Sequence, residues 1–186
     1  MKPTLPALLL PLLLLAAGCD KDGPEAGLPK ATQEGKNTAG CLVNGERFVA
    51  AESGGSLLSN PTPALRGGFF EDSVYYVSLN GRYQSRRATI MLFLRTQVAG
   101  TYPLNRTTAY YPQGDPLRIF SHATVTLAGS GGETYVTSAQ HTGQVVLTRA
   151  ELHSGLSAGT FEFTAASTFD PRKTITVTHG RFDRRQ

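Results

Sequence analysis

The chain has no tryptophan, two cysteines and two methionines, and only 17% of its 186 residues are charged. Each shortage excludes something. Two cysteines make neither a disulfide-dense scaffold nor a four-cysteine zinc site. A low charge beside 40% hydrophobic residues excludes a chain that is disordered throughout. The 20 glycines and 11 prolines follow no three-residue period, which excludes collagen. No apolar run reaches the ~20 residues that a membrane-spanning helix needs. The length is short for two ordinary domains of ~100–150 residues each.

Chemical motifs are missing too. No glycine-rich phosphate loop is followed by Lys and Ser or Thr, and there is no His-Glu-x-x-His and no acidic calcium loop. No Gly-x-Ser-x-Gly elbow appears. The four histidines, His122, His141, His153 and His179, are too scattered for a local metal motif. The expectation is therefore no cofactor and no metal. A net charge of +4 is modest, so nucleic acid is not an expected partner.

What is present begins at the N-terminus. Lys2 precedes the apolar stretch from Leu5 to Ala17, which Pro6 and Pro11 interrupt. It ends in Leu15-Ala16-Ala17-Gly18-Cys19. Small residues directly before a cysteine resemble the bacterial lipobox. This predicts a lipoprotein signal peptide over 1–18 and acylation of Cys19. Several acyl chains would hold the protein at a membrane, since each buried methylene contributes ~0.8 kcal/mol. Residues 19–38 are then the lipidated Cys and a tether. That tether is too polar to fold and reaches ~25 Å if flexible.

Residues 39–186 read as one β domain. Glycine or proline interrupts nearly every stretch long enough for a helix, and short alternating runs rich in Val, Thr, Tyr, Phe and Ile recur. Asn44-Gly45 joins Gly40–Val43 to Glu46–Ala50 as a two-residue hairpin turn. That register sets Cys41 opposite Phe48 and makes Cys41 a buried, unpaired thiol. Further strands are expected over 66–71, 73–79, 88–95, 117–127, 133–138, 143–149, 157–166 and 173–182. Gly129-Ser130-Gly131-Gly132 and Asp170-Pro171-Arg172 read as turns. Ile90 to Leu94 is apolar throughout, as in a strand covered on both faces. Phe182 has the wrong parity to share a face with Ile175 and Val177. A bulge near His179-Gly180 would return it to the core and leave Arg181 and Asp183 outside. The fold class is all-β: an antiparallel two-sheet β-sandwich of about nine to ten strands, with a closed lipocalin-like barrel as the alternative.

Two surface features stand out as candidate binding residues. Arg82, Tyr83, Arg86 and Arg87 crowd one loop, and Arg binds planar anions through two parallel hydrogen bonds. Tyr110 and Tyr111 lie in the long stretch 105–116, where exposed rings stack on sugars or anchor a protein. The absence of tryptophan weakens the sugar reading without removing it.

Several segments resemble a family of small Bacteroidota lipoproteins of unknown function. They are Lys36-Asn37-Thr38-Ala39-Gly40-Cys41-Leu42-Val43-Asn44-Gly45, Gly100-Thr101-Tyr102-Pro103-Leu104, Gly159-Thr160-Phe161-Glu162-Phe163 and Thr178-His179-Gly180-Arg181-Phe182-Asp183. The chain differs from that pattern at Ala39, where an aromatic residue is usual, and at His179, where an acidic one is. The resemblance implies an exported β-rich lipoprotein of the outer membrane, facing the periplasm or the cell surface. Asp20 and Asp22 after the lipidated cysteine resemble that group's signal for export to the outer face. The leading functional expectation is a non-catalytic binding module with an envelope glycan or protein as partner. A barrel carrier for a small apolar ligand, and a hydrolase whose site assembles from distant residues, remain alternatives.

Overall fold

The computed structural model describes residues 23–55, 60–70, 73–129 and 131–186. The signal peptide 1–18, Cys19 and the pair Asp20 and Asp22 lie outside the described residues. Eleven strands are formed among the described residues: β1 Thr38–Val43, β2 Glu46–Val49, β3 Leu65–Phe70, β4 Val74–Tyr83, β5 Arg86–Leu94, β6 Gly100–Pro103, β7 His122–Leu127, β8 Glu133–Val136, β9 Gly143–Glu151, β10 Leu156–Ser167 and β11 Thr174–Arg185.

The fold is all-β and antiparallel. One ladder runs β2-β1-β11-β10-β8-β7-β5-β4-β3, with β9 branching from β10 and β6 lying beside β9. The fork has a simple cause. β10 has 12 residues, longer than either β9 or β8, the two strands that share its other edge. Leu156–Phe163 pairs with β9, and Ala166 and Ser167 pair with β8. The sheet curls strongly into a half-barrel. Ala50 bridges to Gly81, and the Ala51 N–H donates to the Asn80 carbonyl at 2.8 Å, so β2 also meets β4. The layers expected of a sandwich are thus opposing walls of one curled sheet.

The Asn44-Gly45 turn has φ of 49° and 81°, and its register sets Cys41 opposite Phe48 as expected. Asn44 ties this turn to β11 as well. Its N–H donates to the Thr176 carbonyl, and its Oδ1 accepts the Thr176 N–H, both at 2.8 Å. Cys41 is fully buried and unpaired, and burial pushes its thiol up to about 12. Thiol reagent is therefore expected to label it slowly in the native protein and fully in denaturant. Fast native labelling would contradict the burial.

The interior is filled by Tyr75, Leu79, Leu92, Phe161, Phe163 and Phe182 among others. Ile90, Leu92 and Leu94 join this core, while Phe93 points outward into a second cluster with Val74 and Ile119. The stretch Ile90 to Leu94 of β5 is therefore apolar throughout because it is covered on both faces. The expected parity break in β11 is present. Phe161 pairs with Gly180 and Phe163 with Val177, so β11 carries one extra residue. The left-handed residue is His179, at φ 53°, and Gly180 is needed for space: a Cβ there would lie 2.5 Å from the Phe161 ring and carbonyl.

Several expectations need correction. The strand expected over 117–127 forms only from His122. Its first part is a turn in which the Asp115 carbonyl and carboxylate accept the N–H groups of Ile119 and Leu117. β6, four residues between Gly100 and Pro103, has too little alternation to be read as a strand. Arg181 and Asp183 do leave the core face, but they are not exposed. The Arg181 side chain retains 13% of its exposure and Asp183 1%. The N-terminal segment covers both.

Candidate functional site

Residues expected to form a flexible tether lie against β11. The Asp183 carboxylate accepts the Thr32 hydroxyl at 2.6 Å and the backbone N–H groups of Glu34, Gly35 and Lys36 at 3.1, 2.6 and 3.2 Å. Left-handed Gly35 and Asn37 turn these donors to one side, so the backbone forms a cradle for an anion. Burial pushes the Asp183 carboxyl up, but those hydrogen bonds outweigh it and hold it below its usual range. Further along, Arg181 donates to the Glu25 carboxylate and to the Pro29 carbonyl. Arg181 holds the Glu25 carboxyl below its usual range. Counting apolar residues missed this docking because polar groups make it.

The arginine hairpin is put to structural use. Gln84 and Ser85 form its turn with φ of 47° and 64°. Tyr83 is 6% exposed and belongs to the core. Arg86 donates to the carbonyls of Leu127 and Ala128, tying β5 to the end of β7. Arg82 donates to the Ser85 carbonyl across the turn. Arg82 and Arg87 are direct cross-strand partners and both are exposed. The four residues do not converge on one site.

The long loop after Leu104 separates the two tyrosines. Tyr111 packs on Phe93 and Tyr76, with ring centroids 5.7 and 5.4 Å away. Its N–H donates to His122 Nε2 at 3.1 Å, so His122 Nδ1 carries the proton and donates to the Phe120 carbonyl at 2.8 Å. Burial pulls the His122 pKa down, partly opposed by the Phe120 bond. A lowered histidine pKa means that this contact stabilises the fold fully above the unfolded value of ~6.5 and loses its contribution below it. Denaturation series should show unfolding free energy falling as pH drops below about 6.5, by at most ~1.4 kcal/mol per pH unit from this group. His122→Gln should flatten that slope; an unchanged slope would place the effect elsewhere.

Tyr110 instead lines a cleft of about 460 Å³ at one end of the sheet. Its walls are the loop from Thr107 to Tyr110, the end of β8 with Ser138, the turn with His141, and the β10–β11 turn at Thr168 and Pro171. The Ala139 N–H donates to the Thr107 hydroxyl at 3.2 Å and joins two of these walls. Several lining residues carry hydroxyls, among them Thr107, Thr108, Tyr110, Ser138 and Thr168, and the lining contains no Asp, Glu, Lys or Arg. Phe169, on the turn that makes one wall, is 79% exposed. Exposure of a lone aromatic in a turn gives no sequence signal.

Ser138 and His141 sit together in this cleft, with Oγ 3.4 Å from Nδ1. The Ser138 hydroxyl also accepts the N–H groups of Gln140 and His141 at 3.2 and 3.1 Å, so it caps the turn. No carboxylate among the described residues hydrogen-bonds to His141. A second groove of about 420 Å³ runs over β9, β10 and β11, with Glu162, His179 and the Glu25–Arg181 pair on its walls. His179 Nε2 stands 3.7 Å from Glu25 there. Among the described residues no group of three His, Cys, Asp or Glu side chains is placed to hold a metal ion. No family model, no curated protein and no solved structure matches the chain.

Proposed function

We propose that the chain is an exported lipoprotein anchored through Cys19 in the outer membrane, and that its β domain is a non-catalytic binding module for a neutral, polyhydroxylated ligand such as a segment of envelope glycan. The observation that carries this reading is the cleft at Tyr110, whose walls offer hydroxyls and no Asp, Glu, Lys or Arg. Such walls exchange hydrogen bonds with sugar hydroxyls, and the Tyr110 and Phe169 rings add faces on which pyranose rings stack. The hydrolase alternative draws little from a serine that caps a turn. The carrier alternative needs an open lumen, and the inward-facing rings fill that space.

The docked N-terminal segment supports a particular geometry. With residues 23–37 held on the domain, only the stretch from Cys19 to Gly23 separates lipid from fold, at most ~14 Å. The cleft opens by the turn that begins β11. Asp183, which holds the segment, lies nine residues beyond Thr174, ~30 Å along the strand.

The test is a calorimetric titration with soluble oligosaccharides from cell-envelope glycans. At least one should bind. Tyr110→Ala and Phe169→Ala should each weaken it about three- to tenfold, from loss of ring contact. Arg82→Ala should leave it unchanged. Cys19→Ser should release the protein from membranes. Failure of every oligosaccharide to bind would overturn the glycan reading, and membrane retention of the Cys19→Ser variant in high salt would overturn the anchor.

A further inference from the structure

Beyond the bulge, Phe182 and Arg184 of β11 face the interior. Arg184 is 7% exposed. Its Nη1 is buried and has no hydrogen-bond partner, and Arg184 forms no ion pair among the described residues. An arginine does not shed its proton in a protein, so a positive charge lies largely buried at this end of the sheet with no counter-charge among the described residues. Leaving a buried guanidinium unpaired is among the costlier arrangements a fold adopts.

Its surroundings suit an anion. Ser157 is the direct cross-strand partner of Arg184 and is completely buried. The Ser157 hydroxyl accepts from the Tyr75 hydroxyl at 3.0 Å and keeps its own proton to donate. Cross-strand partners carry their side chains on one face with Cβ atoms ~4.5–5.5 Å apart. Arg184 Nη1–H therefore lacks an acceptor, and the Ser157 hydroxyl proton, carried on the same face of the sheet, is bonded to no described group. Glycine closes the other side. A Cβ on Gly68 of β3 would lie 3.2 Å from Arg184 Nη1 and 2.8 Å from Gln186 Oε1. Above this glycine the cover is the Gln186 side chain, itself exposed and free to swing away.

We infer that Arg184 and Ser157, backed by Tyr75, form a binding site for one small oxyanion, a phosphate or a carboxylate, at the end of the sheet remote from the glycan cleft. The anion accepts from Nη1 of Arg184 and from the hydroxyl of Ser157, and it supplies the missing negative charge. The site does not depend on the cleft: its residues come from β10, β11, β4 and β3, and none lines the cleft.

Inorganic phosphate, acetate and a short-chain phosphatidic acid below its micelle concentration are titrated calorimetrically into the whole protein at constant ionic strength. At least one is expected to bind at a single saturable site and to raise the melting temperature beyond the effect of sodium chloride. Binding of phosphate or acetate identifies a free anion as sufficient. Binding of phosphatidic acid alone identifies a lipid headgroup. Arg184→Met should fold, should match or exceed the unliganded wild type in melting temperature, and should bind none of the three. Ser157→Ala, which leaves the guanidinium in place, should fold and weaken binding about tenfold, and it serves should Arg184→Met not fold. No binding by any of the three to the wild type, or equal binding by Arg184→Met or Ser157→Ala, overturns the site.

Discussion

Replacing Asp183 with alanine is expected to destabilise the protein by about 3–5 kcal/mol and to free residues 23–37 from the sheet. The carboxylate is 1% exposed and accepts four hydrogen bonds, three of them from consecutive backbone N–H groups. Hydrogen bonds to a charged group contribute about 1.5–3 kcal/mol each, but they act here as one unit and do not add. Alanine removes the acceptor and leaves Thr32, Glu34, Gly35 and Lys36 to find water. Asp183→Asn keeps the shape and loses the charge, and it should cost less. Chemical denaturation measures the loss, and protease cleavage within 23–37 reports release of the segment. A neutral Asp183→Ala would mean that the segment is the tether its composition suggests.

Acid should do what the substitution does. The Asp183 carboxyl titrates below its unfolded value of ~3.9. Its contribution is therefore fully present above ~pH 4 and is lost as pH falls through the folded value. Protease sensitivity of residues 23–37 should rise in that window, before the core unfolds.

Phe182→Ala should cost about 3–5 kcal/mol, the ordinary loss for emptying a large buried ring from a core. The ring stands among Tyr75 and Phe161, at centroid distances of 6.3 and 6.4 Å, and it lies over Gly159, where a Cβ would come within 3.0 Å of it. Only the extra residue in β11 brings it there. Gly180→Ala attacks the same arrangement by crowding it. Its methyl would sit 2.5 Å from both the Phe161 ring and the Phe161 carbonyl, one of which is backbone and cannot turn aside. A cost near 3 kcal/mol is expected, the upper part of the usual range for overpacking. If denaturation midpoints show Phe182→Ala to be neutral, the bulge does not exist in solution.

Local chemistry was legible in the sequence where it decides local structure. Asn44-Gly45 set a turn and a register, and with them the burial of Cys41. The parity conflict between Val177 and Phe182 located the bulge within two residues. Neither needs knowledge of distant partners. What stayed hidden was set by contacts across many residues. Asp183 meets Gly35, 148 positions away. Arg184 faces inward because the bulge that rescues Phe182 carries the next alternate residue with it, against the preference of arginine for the surface. The hydrophobic count over 19–38 was correct, yet it says nothing of backbone N–H groups gathered around a carboxylate. Tyr110 and Tyr111 are neighbours in sequence, but one lines a cleft and the other fills a small core beneath the loop. The cleft itself draws on four separate segments, so only Tyr110 marked it in advance.

The central claim is that the cleft takes a neutral glycan, and amide chemical-shift mapping on the whole protein tests it most directly. An envelope oligosaccharide that binds should move the amide signals of Thr107 to Tyr110, Ser138 to His141 and Ser167 to Phe169, and leave those of Arg82, Arg87 and residues 23–37 in place. Shifts centred on the Arg82–Arg87 hairpin or on the Glu25–Arg181 groove, with the cleft signals unmoved, would contradict it.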